Sequence, residues 1–315
     1  EPDLFSYLQL MVDEHPIPGQ FILTGSQHFL LHEKLSQTLA GRVAILTLLP
    51  FSLEEIINVV PIEKDYLHYL FMGFYPPIYD KGITPQEWLP NYIQTYVERD
   101  VRMLKNITDL NAFTRFLKLC AGRTGQLINY SALATEAGIS TNTARSWLSV
   151  LEASFIIFFL QPHYKNFNKR LVKMPKLYFY DTGLVIHLLG VQEEQQLEYH
   201  YMKGALFENF IISEIAKYEF HRGKRPEIFF WRDKSGREID CIVDRAGNLF
   251  ALEIKVSKSI NQEFFKNIRY WSNLPGNKPS GMYVIYAGSQ IQAWSDIRIV
   301  PWWETHTIMK EITRA

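Results

Sequence analysis

The 315 residues contain two cysteines, no net charge and no long apolar run. Cys120 and Cys241 lie in apolar contexts without a second ligand at metal spacing. That excludes a disulfide framework and a thiolate metal centre, and indicates reduced structural thiols in a cytoplasmic protein. Lysine plus arginine equals aspartate plus glutamate at 33 each, so bulk charge points to neither nucleic acid nor anionic membrane, and any basic surface is local. No stretch approaches the roughly 18–20 apolar residues needed to span a bilayer, and the opening EPDLFSY is not a basic and apolar leader. The expectation is a soluble chain without an export signal. Internal repeats and low-complexity segments are absent too. What is plentiful is apolar surface: 47% hydrophobic and 14% aromatic residues suffice for the packed cores of two or three domains.

The stretch from Gly236 to Lys258, GREIDCIVDRAGNLFALEIKVSK, carries charged side chains at the ends of apolar strands. Glu238 to Val243 and Leu249 to Val256 are short runs separated by a turn, which reads as a β-hairpin. Glu253 and Lys255 are two apart and so share one strand face. With Asp240 opposite them, Asp240 and Glu253 suit a hard divalent cation such as Mg²⁺, and Lys255 is placed to orient a water or neutralise a phosphate. The same spacing also fits an exposed strand with a surface salt bridge.

Asp, twelve residues, Glu, one residue, Lys resembles the signature of the restriction-endonuclease-like, or PD-(D/E)XK, nuclease superfamily. That resemblance implies a further acidic residue on the preceding helix. The candidate is Glu208 in GALFENFIISEIAKY, whose Ala205, Leu206, Phe210, Ile211 and Ile215 fit a helical stripe. The implied catalytic set is Glu208, Asp240, Glu253 and Lys255, with Asp240 and Glu253 as Mg²⁺ ligands. A basic cluster between Lys217 and Arg237, containing Arg222, Lys224, Arg225, Arg232, Lys234 and Arg237, precedes the carboxylates in the chain and suits a phosphodiester substrate.

At the start, Leu4 to Val12 reads as an amphipathic helix, while Phe21 to Leu23 and Val43 to Leu48 read as buried strands. FILTGSQHFLLHEKLSQTLAGRVAILTLLPFSLEE resembles the latter part of an AAA-type P-loop ATPase module, and the remainder resembles the domain of unknown function that follows it. The resemblance implies nucleotide contact at Ser26, in ILTGS, and at Arg42, in LAGR. The phosphate-binding pattern G-x-x-x-x-G-K-[ST] occurs nowhere in these residues, so the chain has no ATP site of its own and reads as the C-terminal portion of a longer ATPase. ATP then belongs to the longer parent, as does homo-oligomerisation through its ATPase part.

GFYPPIYD reads as an extended linker, and Trp88 to Leu104 as a helix. Phe113–Ala121, Ser131–Ala137 and Asn142–Glu152 read as three helices, the last capped by Ser140 or Thr141. Phe155–Leu160 and Lys176–Tyr180 read as strands. Together they resemble a winged helix, with HYKNFNKRLVKMP as the wing. That reading places Thr141, Asn142 and Arg145, with Lys165, Lys169, Arg170 and Lys173, on nucleic acid, DNA in particular. A protein-docking role is the alternative.

The expected fold is α/β and multidomain: an ATPase-sheet remnant with linker at 1–80, a helical and winged-helix domain at 81–195, and a restriction-endonuclease-like domain at 196–315. Two functions follow. One is metal-dependent phosphodiester hydrolysis guided by the winged helix and regulated by the ATPase. The other is a non-catalytic docking module of an ATP-driven switch.

Overall fold

The computed structural model describes residues 4–25, 39–60, 65–97, 109–163 and 174–314. The chain forms two compact units, Glu1–Thr47 and Leu48–Ala315. In the first, α1 (Leu4–Glu14) is the expected amphipathic helix, with Leu8 buried. The two expected strands do not form. Residues 21–25 and 43–48 have no regular structure, and Ile22 and Leu46 are 87% and 74% exposed. A strand buried on both faces needs paired neighbours, and no strand exists among the described residues of this unit to provide them.

The second unit opens with α2 (Leu53–Ile57), which Ser52 and Glu55 start through reciprocal capping bonds. Next come α3 (Tyr66–Met72), α4 (Pro76–Asp80) and α5 (Pro85–Tyr92). The expected extended linker is therefore α4. Pro76 and Pro77 stand in its first turn, where the missing N–H has no intrahelical partner to lose and φ is already helical. A π-helical turn, Ile93–Val97, extends α5, and the rest of the expected helix, through Leu104, lies outside the described residues.

Next come α6 (Leu110–Ala121), α7 (Tyr130–Ala137) and α8 (Thr141–Ala153). Gly138, at φ 73, ends α7 in the left-handed conformation, and Ser140 caps α8 by accepting from Thr143 N. The strands β1 (Ile157–Pro162) and β2 (Lys176–Phe179) pair antiparallel. The order of three helices and a hairpin matches expectation, but the hairpin is not free-standing. Gln161 and Pro162 of β1 pair in parallel with Phe229 and Phe230.

Beyond β2 come α9 (Thr182–Leu188), α10 (Lys203–Phe220), β3 (Ile228–Arg232), β4 (Glu238–Arg245), β5 (Asn248–Lys255), α11 (Lys266–Ser272), β6 (Pro279–Tyr286), β7 (Gln292–Trp294), β8 (Ile297–Pro301) and α12 (Thr305–Arg314). One eight-stranded mixed sheet results, in the order β2-β1-β3-β4-β5-β6-β8-β7. The sequence boundary at 195/196 therefore falls inside a single core that runs from Leu49 to Ile312.

At the centre is α10, which is buried nearly all round, polar side chains included. Its polar residues are accordingly bonded. Asn209 donates to Phe179 O at 2.9 Å and accepts from Phe179 N at 2.8 Å, which locks the helix to β2. Glu214 accepts from Leu53 N at 2.6 Å, and the Lys217 ammonium, itself fully buried, donates to Glu214 and to Phe51 O at 2.9 Å each. Both cysteines are buried free thiols.

Candidate metal centre

β4 and β5 form the expected hairpin, paired from Arg245↔Asn248 beside the turn to Cys241↔Leu252. There the ladder stops. A bulge against β3, between Phe229↔Ile242 and Trp231↔Ile239, sets Asp240 and Cys241 against the single residue Phe230. The extra residue takes Asp240 out of the simple alternation. Its Oδ2 accepts the main-chain N–H of Ile254 at 2.7 Å, replacing a ladder carbonyl where the strands part.

The carboxylates and ammoniums at this splay come from four elements. From β5, Lys255 Nζ donates to Glu253 Oε2 at 2.5 Å and to Asp240 Oδ2 at 3.5 Å. Glu253 is 1% exposed, and its Oε1 is buried without a hydrogen-bond partner among the described residues. From α10, Glu208 Oε1 accepts from Tyr178 OH at 2.5 Å and from Lys176 Nζ at 2.8 Å, both on β2. From β4, Glu238 pairs with Lys176 through one oxygen and with Arg232 through the other, at 3.3 Å. Carboxylate oxygens of Glu208, Glu238 and Asp240 all lie within 4.8 Å of one another.

Charge is concentrated here in a largely buried setting, and the titrations respond. Burial raises Glu253 well above the ordinary carboxylate range; Asp240 adds to this and Lys255 opposes it. Glu208 is likewise raised, first by burial, with Lys176 opposing and Asp240 adding. Burial works against the two ammoniums, but the carboxylates outweigh it. Lys176, facing Glu208, Glu238 and Asp240, and Lys255, facing Asp240 and Glu253, both end above the usual lysine value. With every group ionised, the four carboxylates, the two ammoniums and the Arg232 guanidinium leave a formal charge of −1. A cluster of oxygen donors with that deficit suits a hard divalent cation.

Glu208, Asp240, Glu253 and Lys255 thus meet at one place. Sequence reasoning missed two other members, Glu238 and Lys176. Glu238 stood two residues before Asp240 and offered a weak signal. Lys176 offered none, being a strand residue distant in the chain.

The basic cluster separates into two groups. Arg232, Lys234 and Arg237 are on or beside the β3–β4 turn, at the carboxylate end, with Arg237 over the Tyr270 ring at 4.0 Å. Arg222, Lys224 and Arg225 are exposed beyond the far end of α10, and Lys224 and Arg225 share a groove with Arg245 and Asn248 of the β4–β5 turn. Glu208 and Arg222 are separated by about 20 Å at 1.5 Å per helical residue. Adjacency in the chain suggested that these three cations flank the carboxylates, and the length of α10 overturns it.

On α8, Asn142 and Arg145 are exposed and Thr141 is half-buried, with Arg145 lying over the Tyr130 ring at 4.2 Å. Lys165, Lys169, Arg170 and Lys173 lie outside the described residues, as does Ser26. Within the first unit, Arg42 grips Asp13, with Nε at 2.5 Å and Nη2 at 3.1 Å. Among the described residues no helix is long and apolar enough to cross a membrane.

Three family models match successive parts of the chain: an AAA domain at residues 1–57, a domain of unknown function (DUF8612) at 63–195, and a second domain of unknown function (DUF4143) at 203–305. The carboxylate cluster falls in the segment similar to the last of these, apart from Lys176 and Tyr178. Uncharacterized proteins of Mycobacterium tuberculosis and Mycobacterium bovis are each 29% identical over 81% of this chain and 56% of their own length. An uncharacterized protein of Haemophilus influenzae is 23% identical over 74% of this chain and 58% of its own. The chain therefore spans a little over half the length of the curated relatives it matches. No solved structure matches it.

Proposed function

We propose that the chain is part of an ATP-binding, AAA-related protein that hydrolyses phosphodiester bonds in nucleic acid at the β4–β5 splay. The observation that carries this reading is the convergence of Glu208, Asp240, Glu253 and Lys255 from two strands and a helix around a gap in the ladder. Asp240 and Glu253 would hold a Mg²⁺ ion. The donors are all hard oxygens, and Glu253 Oε1, buried and accepting no hydrogen bond among the described residues, is an oxygen that such an ion could use. A bound Mg²⁺ supplies Lewis acidity and a more acidic water.

The protein's own groups do the rest. Lys255, kept protonated by Asp240 and Glu253, presents a fixed positive charge to a phosphate. Glu208, held by Tyr178, closes the helix side of the site. Arg232, Lys234 and Arg237 at the same end supply phosphate contacts, and the exposed face of α8 at Thr141, Asn142 and Arg145 supplies a second contact in the manner of a winged helix. Arg42, in the AAA-like segment, is the residue of this chain assigned to a nucleotide phosphate, a role that requires it to release Asp13.

The test is cleavage of labelled single-stranded, duplex and branched DNA and of RNA with Mg²⁺ or Mn²⁺, by this chain and by the longer protein with ATP. Cleavage that disappears in folded Glu253→Ala and Lys255→Ala assigns the site and its substrate. Absence of cleavage in both forms, with nucleic-acid binding unchanged in the variants, sinks the hydrolytic reading. One observation favours a docking role in that event: Lys176 already neutralises much of the cluster internally.

A further inference from the structure

Lys176 is 3% exposed and comes from β2, outside the hairpin and helix that carry the carboxylates. Its ammonium is 2.8 Å from Glu208 Oε1, is paired with Glu238, and feels the charge of Asp240. Those are the three carboxylates whose oxygens lie within 4.8 Å of one another. A spacing that suits a small cation therefore already holds one. Beside Asp240, Glu253 Oε1 is buried and accepts no hydrogen bond among the described residues even with Lys255 in place.

We propose that Lys176 is a tethered cation seated among Glu208, Glu238 and Asp240, at the side of the divalent-ion site that Asp240 shares with Glu253, so that metal loading and withdrawal of Lys176 are one exchange. The proposal rests on the metal reading above and adds Glu238 and Lys176 to the site. Two positive centres repel strongly in a shared low-dielectric cage, so the ammonium and a divalent ion exclude each other there. The exchange needs no movement of the strand. β2 is paired to β1 on one side and bridged to Leu127 on the other, and Leu177 N donates to Gln126 O, so the backbone stays while the flexible four-carbon stem swings. Glu238 is not abandoned when Lys176 leaves, because Arg232 holds its other oxygen.

The experiment is a Mn²⁺ titration, by calorimetry and by electron paramagnetic resonance, of the full chain, Lys176→Met and Glu253→Ala. The expected result is that Lys176→Met binds Mn²⁺ about tenfold or more tightly than the native chain, because no internal cation competes, and that Glu253→Ala weakens it. Equal or weaker binding by a folded Lys176→Met, with the native chain still binding, overturns the exchange and leaves the metal reading standing. Absence of Mn²⁺ binding in every form overturns both. Should Lys176→Met unfold, nitrogen-15 resonances of the lysine ammoniums in the native chain decide the matter under Mg²⁺ titration. The Lys176 signal, assigned by its loss in Lys176→Arg, moves at saturation if the exchange is correct, and a stationary signal with bound metal overturns it.

Discussion

Asp240 Oδ2 accepts the Ile254 main-chain N–H at 2.7 Å while standing 3.5 Å from the Lys255 ammonium. One carboxylate thus completes the sheet where its ladder ends and contributes charge to the cluster. The two duties separate by substitution. Asp240→Asn retains an acceptor and should lose less than about 1 kcal/mol, whereas Asp240→Ala leaves the Ile254 donor unpaired and should lose about 1–3 kcal/mol. Both should lose Mn²⁺ binding. Urea unfolding beside the metal titration checks this, and equal destabilisation by the two variants would show that the N–H bond is unimportant.

Charge reversal distinguishes the two ends of α10. Lys234→Glu with Arg237→Glu, at the carboxylate end, should weaken nucleic-acid binding and flatten its salt dependence. The triple change of Arg222, Lys224 and Arg225 to Glu, some 20 Å away by helix length, should leave both nearly unchanged. Fluorescence anisotropy at several salt concentrations is the measurement, and the opposite ranking would move the substrate path to the β4–β5 turn.

At Gly183 in α9 an alanine normally helps a helix by up to about 1 kcal/mol. Here an added Cβ would stand 2.8 Å from Gly73 Cα and 2.9 Å from Gly73 N, both backbone atoms that cannot turn aside. Gly183→Ala should therefore destabilise the chain by about 1–3 kcal/mol, through overpacking. A raised urea midpoint would contradict the close approach of α9 to the end of α3.

His306 should give stability a pH dependence. Burial lowers its pKa to about 4, with Glu54 opposing and Lys310 and Arg222 adding to the effect. Between the ordinary value of 6.5 and about 4, the unfolded chain takes a proton that the folded chain refuses, so stability is whole above pH 6.5 and declines as pH falls through that window. For a partly solvated ring the loss is on the order of 1 kcal/mol. His306→Gln should flatten the unfolding profile there, as thermal melts from pH 7 to pH 4 would reveal.

The hairpin was legible because its signals are local: a Gly-bounded turn, two short apolar runs, and Glu253 and Lys255 at strand period. The three helices α6, α7 and α8 were legible through the stop at Gly138 and the cap at Ser140, whereas the caps at Asp109 and Asn129 went unread and start α6 and α7 earlier than expected. The parallel pairing of β1 with β3 was not, since it joins Gln161 to Phe229 and no periodicity encodes a partner so distant. Lys176 was hidden for the same reason. The strands expected in the first unit illustrate the converse: an apolar run such as Val43–Leu48 states a preference for burial, but pairing requires neighbours that a run cannot specify. Pro76 and Pro77 were read as linker residues because proline breaks helices from within, whereas in the first turn it begins them.

Because β1 reaches its parallel neighbour only when β3 exists, and Leu53 finds its acceptor only when Glu214 exists, the order of synthesis is not the order of assembly. A ribosome releasing this chain exposes α6 through β2 as a half-built edge until the residues of α10 and β3 have emerged. Such long-range closures slow folding and leave strand edges open to the wrong partner. The shared sheet that unites the helical segment with the carboxylate cluster therefore makes a break between residues 195 and 203 unsuitable for expressing either half alone.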